Sequence, residues 1–227
     1  MNSDIQSMFK TVVALDTSKS FNKLSSLVWF PDFNVGWYPV VEDGMYDSDY
    51  FERYLVYKQS EVGVSLNRFR DRFVRRHTDL PPIDIGACAG HFIETYGGKA
   101  KGFDINPFVV AYLQRTGRYI NVDTLSEVDC LTFWDSLEHI CDFWKLLEKV
   151  CIGGYVFMTI PIFKNCDVIR DSRHFRPREH YWYPTECGIV QIMDALGFDL
   201  LEKKKTEVYY GRKGVCSYAF KRISRKE

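Results

Sequence analysis

Residues 82–92 read Pro82-Ile83-Asp84-Ile85-Gly86-Ala87-Cys88-Ala89-Gly90-His91-Phe92, and their reading decides the fold. Two isoleucines around an acid form a short strand, and Gly86 follows at once, where a tight turn and a ligand's close approach to backbone both favour a residue without Cβ. Gly90 lets the next helix, running through about Tyr96, pack close to that strand. A phosphate loop would need Gly-x-x-x-x-Gly-Lys-Ser/Thr, whose lysine reaches the β/γ-phosphates. This turn has no such lysine, and Asp84 sets a fixed anion beside it. A cationic group, such as an amino acid's ammonium, suits it better than a pyrophosphate. Twenty residues on, a second strand, 101–104, ends in Asp104. A carboxylate there accepts hydrogen bonds from ribose hydroxyls, as in the dinucleotide fold. Turn and acid together narrow the ligand to an adenosine-containing cofactor.

Outward from this unit, strands and helices alternate. Upstream, Val62, Leu66, Phe69 and Phe73 mark one helical face, with Arg68, Arg70, Arg72, Arg75 and Arg76 on the rest, until Pro81-Pro82 ends the helix. Downstream, Asn106-Pro107 opens a helix whose buried face is Phe108, Val109, Tyr112 and Leu113. Further strands are expected at 119–122, 130–134 and 155–160. A helix carrying Ile140, Phe143, Trp144, Leu147 and Val150 closes near Gly153-Gly154, and another covers 189–196. Two final strands, near 199–210 and 215–221, have no helix between them and imply an antiparallel edge. The pattern is a doubly wound α/β sheet of seven strands, Rossmann-like and mostly parallel, with an antiparallel last strand. Residues 1–58, aromatic and turn-rich, are expected to form an N-terminal cap or lid, and 59–227 the α/β domain.

The chain has 227 residues, 46% of them apolar, enough for one α/β domain with a modest extension. Net charge is zero, which excludes a global pull toward nucleic acid or membrane. Charge is uneven: residues 200–227 hold nine Lys/Arg against three Asp/Glu, and 41–52 hold five acids and no base. The basic tail reads as a solvated surface rather than a nucleic-acid patch. Seven cysteines without a Cys-x-x-Cys pair argue against a disulfide framework and a structural zinc site, and point to free thiols in a reducing compartment. With no signal-peptide pattern and no apolar run of about 18 residues, a cytoplasmic location is expected.

Asp84–Gly90, Phe103-Asp104-Ile105-Asn106 and Trp134-Asp135-Ser136-Leu137-Glu138-His139 resemble the first, second and fourth motifs of class I S-adenosylmethionine-dependent methyltransferases. Within them the chain looks most like the Asp-x-Leu-Glu-His group, which includes ubiquinone-biosynthesis O-methyltransferases, and His174–Tyr183 looks like the substrate-side segment of bacterial and phage members. The resemblance covers about residues 59–222. It implies that Asp84, Gly86, Ala87, Cys88 and Gly90 hold the methionine portion and Asp104 the ribose. Ile105 and Asn106 would lie beside the adenine, Asp123 near its amino group, and Asp135 at the cofactor. Cys88 stands where the family often has Gly.

The expected reaction moves a methyl group from S-adenosylmethionine to an oxygen or nitrogen of a small-molecule acceptor, leaving S-adenosylhomocysteine. His139, His174 and His180 are candidate general bases. Tyr50, Tyr57, Arg176, Tyr181 and Trp182 are candidate acceptor contacts, whereas His77 and His91 read as surface or loop histidines. Some quinone O-methyltransferases place acid, acid and histidine at positions matching Asp135, Glu138 and His139, so a divalent metal there is possible but not favoured over helix capping. Three rivals stay open: a nucleic-acid methyltransferase, a non-catalytic cofactor-binding subunit, and a dinucleotide oxidoreductase. After the fourth strand the chain reads Asp135-Ser136-Leu137-Glu138 in place of Asp/Asn-Pro-Pro-Tyr/Phe, which speaks against the first. The missing Gly-x-Gly-x-x-Gly speaks against the last.

Overall fold

A computed structural model describes residues 3–17, 27–39 and 46–225. Its centre is a six-stranded sheet of β3 (Ile83–Ile85), β4 (Lys101–Phe103), β5 (Val128–Trp134), β6 (Val150–Pro161), β8 (Phe198–Lys204) and β9 (Val215–Arg222). The order is β4-β3-β5-β6-β9-β8; β4, β3, β5 and β6 pair in parallel, and β9 runs antiparallel to both its neighbours. Side chains alternate across this sheet with the period of two that strands impose. Leu131, Phe133, Val156, Met158, Tyr218 and Phe220 join one core; Cys130, Trp134, Phe157 and Ala219 join the other.

Helices cover both faces. On the second lie α3 (Glu61–Arg75), α4 (His91–Tyr96) and α5 (Pro107–Arg115). Ser60 caps α3 by accepting from Gly63 N, and Asn106 caps α5 by accepting from Phe108 N, with Pro107 at the first helical position. The first face holds α6 (Trp144–Leu147), α7 (Glu186–Ala195) and also α1 (Ser3–Thr17), whose Ile5, Met8, Phe9 and Val12 are buried at i, i+3, i+4 and i+7. Phe9 stacks on Trp144 with ring centroids 3.9 Å apart. A second sheet joins β1 (Val28–Phe30), β2 (Val35–Trp37) and β7 (Trp182–Pro184), all antiparallel. The remaining helix, α2 (Ser48–Gln59), carries Tyr50, Phe51, Tyr54 and Tyr57. Glu42 and Asp43, the first acids of the 41–52 stretch, lie outside the described residues.

Three expectations need correction. Among the described residues the sheet has six strands rather than seven. At 119–122 only Tyr119 bridges Gly102; Asn121 then accepts from Asp123 N and caps a short 3-10 turn, Val122–Thr124, which ends the extended run. The helix expected over 140–150 shrinks to Trp144–Leu147, because the Trp182 indole donates to the carbonyls of Ile140 (3.0 Å) and Cys141 (3.1 Å) and holds them outside a helix. β6 then begins at Val150 and runs through Gly153, whose φ of 87° absorbs a register shift against β5. Lastly, β8 stops at Lys204, and Thr206–Tyr210 forms a 3-10 turn. All seven cysteines are free thiols, and among the described residues no helix is long and apolar enough to cross a membrane.

Candidate active site

The chain passes from β3 to its two neighbours on opposite sides, β4 and then β5. Ligands in such sheets bind beyond the carboxyl ends of the strands, at this reversal. Here it gathers the loop after β3 and the turn after β5. Gly86 (φ 75°) and Gly90 (φ 68°) turn the loop through left-handed backbone. A Cβ on Gly86 would lie 2.6 Å from the Ser136 Cβ, so the position admits no side chain. Cys88 keeps the glycine-like conformation, φ 48°, at a cost of about 1–2 kcal/mol. Hydrogen bonds hold it there. Cys88 N donates to Asp104 Oδ2 (2.9 Å), and Gly86 N and Ala87 N donate to Phe103 O (2.9 and 3.2 Å).

Asp104 is thus an organiser as well as an acid at a strand end. Its Oδ1 accepts from Asn106 N at 2.9 Å. Burial raises its pKa, and the N–H groups of Asn106, Cys88 and Ile105 oppose that rise. Asp84, 3% exposed, accepts from Thr132 Oγ1 at 2.7 Å. Burial pushes its carboxyl up to about 7, against Thr132 and Arg70.

Two cavities open on either side of this loop. One, of about 490 Å³, is bordered by Gly86, Asp104, Ile105, Asn106 and Asp123. The other, of about 470 Å³, is bordered by Asp84, Ala87, Cys88, Tyr57, His174, Arg176 and His180. Tyr50, Asp135 and His139 border both and mark the junction. Gly90, Tyr181 and Trp182 border neither; Trp182, 2% exposed, is a core side chain packed edge-on to Phe143. α2 lies across the loop and is pinned at both ends. Asn106 Nδ2 donates to Asp47 O (3.3 Å), and Lys58 Nζ donates to Ala89 O (3.1 Å) and pairs with Glu94.

The turn after β5 differs most from expectation. Asp135, itself left-handed at φ 58°, is held by Arg70 Nη2 (3.1 Å) and by Arg212. Both arginines also pair with Glu207, which is 1% exposed, and Thr159 Oγ1 donates to Glu207 Oε1 at 2.9 Å. Arg70 therefore does not belong to the solvent face of its helix. A signal was available, since Arg70 follows Leu66 by four residues and falls inside the apolar stripe. Nothing in the sequence marked Glu207 or Arg212. His91, read as a surface histidine, borders the second cavity with Nδ1 3.0 Å from Asn67 Nδ2, and His77 pairs with Glu202 at 2.9 Å.

The candidate bases are all buried enough to disfavour their charged forms. Burial lowers the pKa of His139 and His174, and takes His180, beside His139 and Arg176, down to about 2. His139 Nδ1 lies 3.3 Å from the Tyr46 hydroxyl, and His174 Nε2 lies 2.7 Å from Lys213 O. Glu138 is 1% exposed, and burial followed by Asp135 holds its carboxyl well above the usual range.

No family model matches the chain, and no curated protein matches it. Solved structures do. Magnesium protoporphyrin IX methyltransferase from Synechocystis PCC 6803, with bound S-adenosylhomocysteine, superposes with a TM-score of 0.57 at 14% identity, covering 78% of this chain and 96% of its own. A Burkholderia thailandensis 1,6-didemethyltoxoflavin-N1-methyltransferase gives 0.54 at 14% identity over 88% and 100%. A Clostridium acetobutylicum S-adenosylmethionine-dependent methyltransferase gives 0.54 at 14% over 78% and 100%. The chain has the Rossmann-like α/β fold of the S-adenosylmethionine-dependent methyltransferases, with a six-stranded sheet whose last strand is antiparallel.

Proposed function

We propose that this protein transfers a methyl group from S-adenosylmethionine to an oxygen or nitrogen of a small-molecule acceptor. The observation that carries this reading is the division of the site at the 86–90 loop, with Asp104 on one side and Asp84 on the other. The adenosine would occupy the Asp104 cavity, with Ile105 and Asn106 against the adenine and Asp123 near its amino group. The ammonium end would reach Asp84, and the sulfonium methyl would stand near the junction at Tyr50 and His139. The cofactor supplies the sulfonium chemistry. The protein aligns donor and acceptor for in-line displacement, and proximity of that kind contributes roughly 7–11 kcal/mol. The related structures with bound S-adenosylhomocysteine support the same cofactor here.

Two features favour a small acceptor over nucleic acid. The second cavity is within the size range of small-molecule sites. The basic tail is also engaged internally: Lys203 and Lys205 pair with Glu186, Lys204 pairs with Glu202, and Arg222 Nη1 donates to three carbonyls.

Calorimetry with S-adenosylmethionine, S-adenosylhomocysteine and NAD tests the cofactor, and a methyl-transfer screen over metabolites and nucleic acids tests turnover. NAD binding without S-adenosylmethionine binding overturns the proposal; cofactor binding with no turnover across the screen leaves the non-catalytic subunit as the better account. Asp84 adds a signature in pH. If its ionised form receives the ammonium, the Kd for S-adenosylhomocysteine falls about 50-fold from pH 5 to pH 7 and then levels off. In the unliganded protein the folded state holds this proton more tightly than the unfolded chain does. The associated stability is therefore full below about pH 4 and is lost as pH rises through about 7. A Kd that does not change with pH removes Asp84 from the ammonium role.

A further inference from the structure

We propose that Glu138, His139 and His180 bind one divalent transition-metal ion, whose open positions face the cavity on the Asp84 side of the loop. Glu138 and His139 lie in the 3-10 turn after β5, and His180 lies just before β7, about forty residues on; the fold alone brings them together. One ligand atom from each falls within 4.8 Å of the others. Ligand atoms about 2.1 Å from an ion stand roughly 3.4–4.2 Å apart, so small side-chain rotations close the set.

The polar bookkeeping of this cluster is otherwise unexplained. Among the described residues, neither carboxylate oxygen of Glu138 nor Nδ1 of His180 has a hydrogen-bond partner, and the two residues are 1% and 4% exposed. Buried polar groups are nearly always paired, and leaving one bare costs about 1–3 kcal/mol or more. A cation supplies the missing partner for all three atoms at once. The His139 and His180 rings meet edge to face with centroids 4.6 Å apart, which keeps both close to the same point.

The set differs from the one the resemblance implied. Asp135 is occupied by Arg70 and Arg212, and His180 takes its place. Two imidazoles and one carboxylate leave coordination positions open, the composition of catalytic rather than structural sites. Imidazole ligands favour Zn²⁺ or Fe²⁺ over Mg²⁺ or Ca²⁺, and the carboxylate also admits Mn²⁺. All three residues border the same cavity as Asp84 and Cys88, and His139 borders the other as well. Resting on the methyl-transfer reading, an ion there would bind an acceptor hydroxyl and lower its pKa, directing transfer to oxygen.

Chelator-treated protein titrated with Zn²⁺ and Mn²⁺ by calorimetry, with metal content measured after dialysis, tests the site without catalysis. One ion per chain is expected. Glu138→Gln and His180→Ala should each weaken binding by about 100-fold or more, while Asp135→Asn stays within about threefold. His180→Gln serves where His180→Ala does not fold. Failure of the wild-type protein to bind either ion overturns the proposal, as does binding that survives in His180→Ala and His180→Gln. Loss of binding in Asp135→Asn restores the other ligand set and also overturns it. S-adenosylhomocysteine affinity, measured on the same variants, separates this outcome from a failure of the cofactor assignment.

Discussion

Glu207→Ala lowers the thermal unfolding midpoint by on the order of 10 °C. The carboxylate is 1% exposed and receives Arg70 Nε (2.9 Å), Arg70 Nη2 (3.2 Å) and Thr159 Oγ1 (2.9 Å), with Arg212 Nε at 2.8 Å. Burial alone would lower the pKa of Arg70, but Glu207 and then Asp135 reverse it, and the net shift is upward. Removing Glu207 leaves two guanidinium groups with one acid between them. Breaking a buried pair this way costs about 3–5 kcal/mol, and each kcal/mol moves a chain of this size by about 2–4 °C. A calorimetric melt checks it. Replacing Arg70 and Glu207 together with Met should recover much of the loss, because an apolar substitute leaves no charge stranded. A shift below about 2 °C for Glu207→Ala would show that stability does not rest on this network.

Asp104→Ala should weaken S-adenosylhomocysteine binding by about 1–3 kcal/mol, roughly 5- to 150-fold. Two effects add. The ribose hydroxyls lose a charged acceptor, and the loop loses the bonds that Cys88 N and Asn106 N make to the carboxylate. Asp104→Asn separates them, since its amide oxygen can still accept one N–H while the charge is gone. Most of the loss should persist in Asp104→Asn if the ribose role dominates. Unchanged affinity in Asp104→Ala would remove Asp104 from the cofactor site.

The parts of the fold readable in advance were those fixed by contacts close in sequence. The apolar stripe at Leu66, Phe69 and Phe73 gave α3, and Asn106-Pro107 gave the start of α5 as capping chemistry dictates. The strand expected at 119–122 does not form, because an extended, apolar run says nothing about whether a neighbour pairs with it; among the described residues only Tyr119 of this run bridges one. The helix expected over 140–150 has the right period, but two of its carbonyls are claimed by Trp182, forty residues away. Cys88 goes the other way. A departure from the glycine pattern left the local backbone as glycine would have it, since Asp104 holds the N–H in place.

The sequence by itself determined the strand–turn–helix unit at 83–96, the acid at 104 and the alternation that makes a two-faced sheet. These depend on backbone preferences and on periodicities of two and 3.6, which act over a few residues. The tertiary structure decided what each polar side chain does. Asp135 became an arginine partner, Arg70 a buried charge, and His180 a neighbour of Glu138 and His139, through residues 41 to 137 positions apart in the chain. Such pairings are selected by the cost of burying an unmatched charge or hydrogen-bonding group, and that cost exists only once the chain has closed around it.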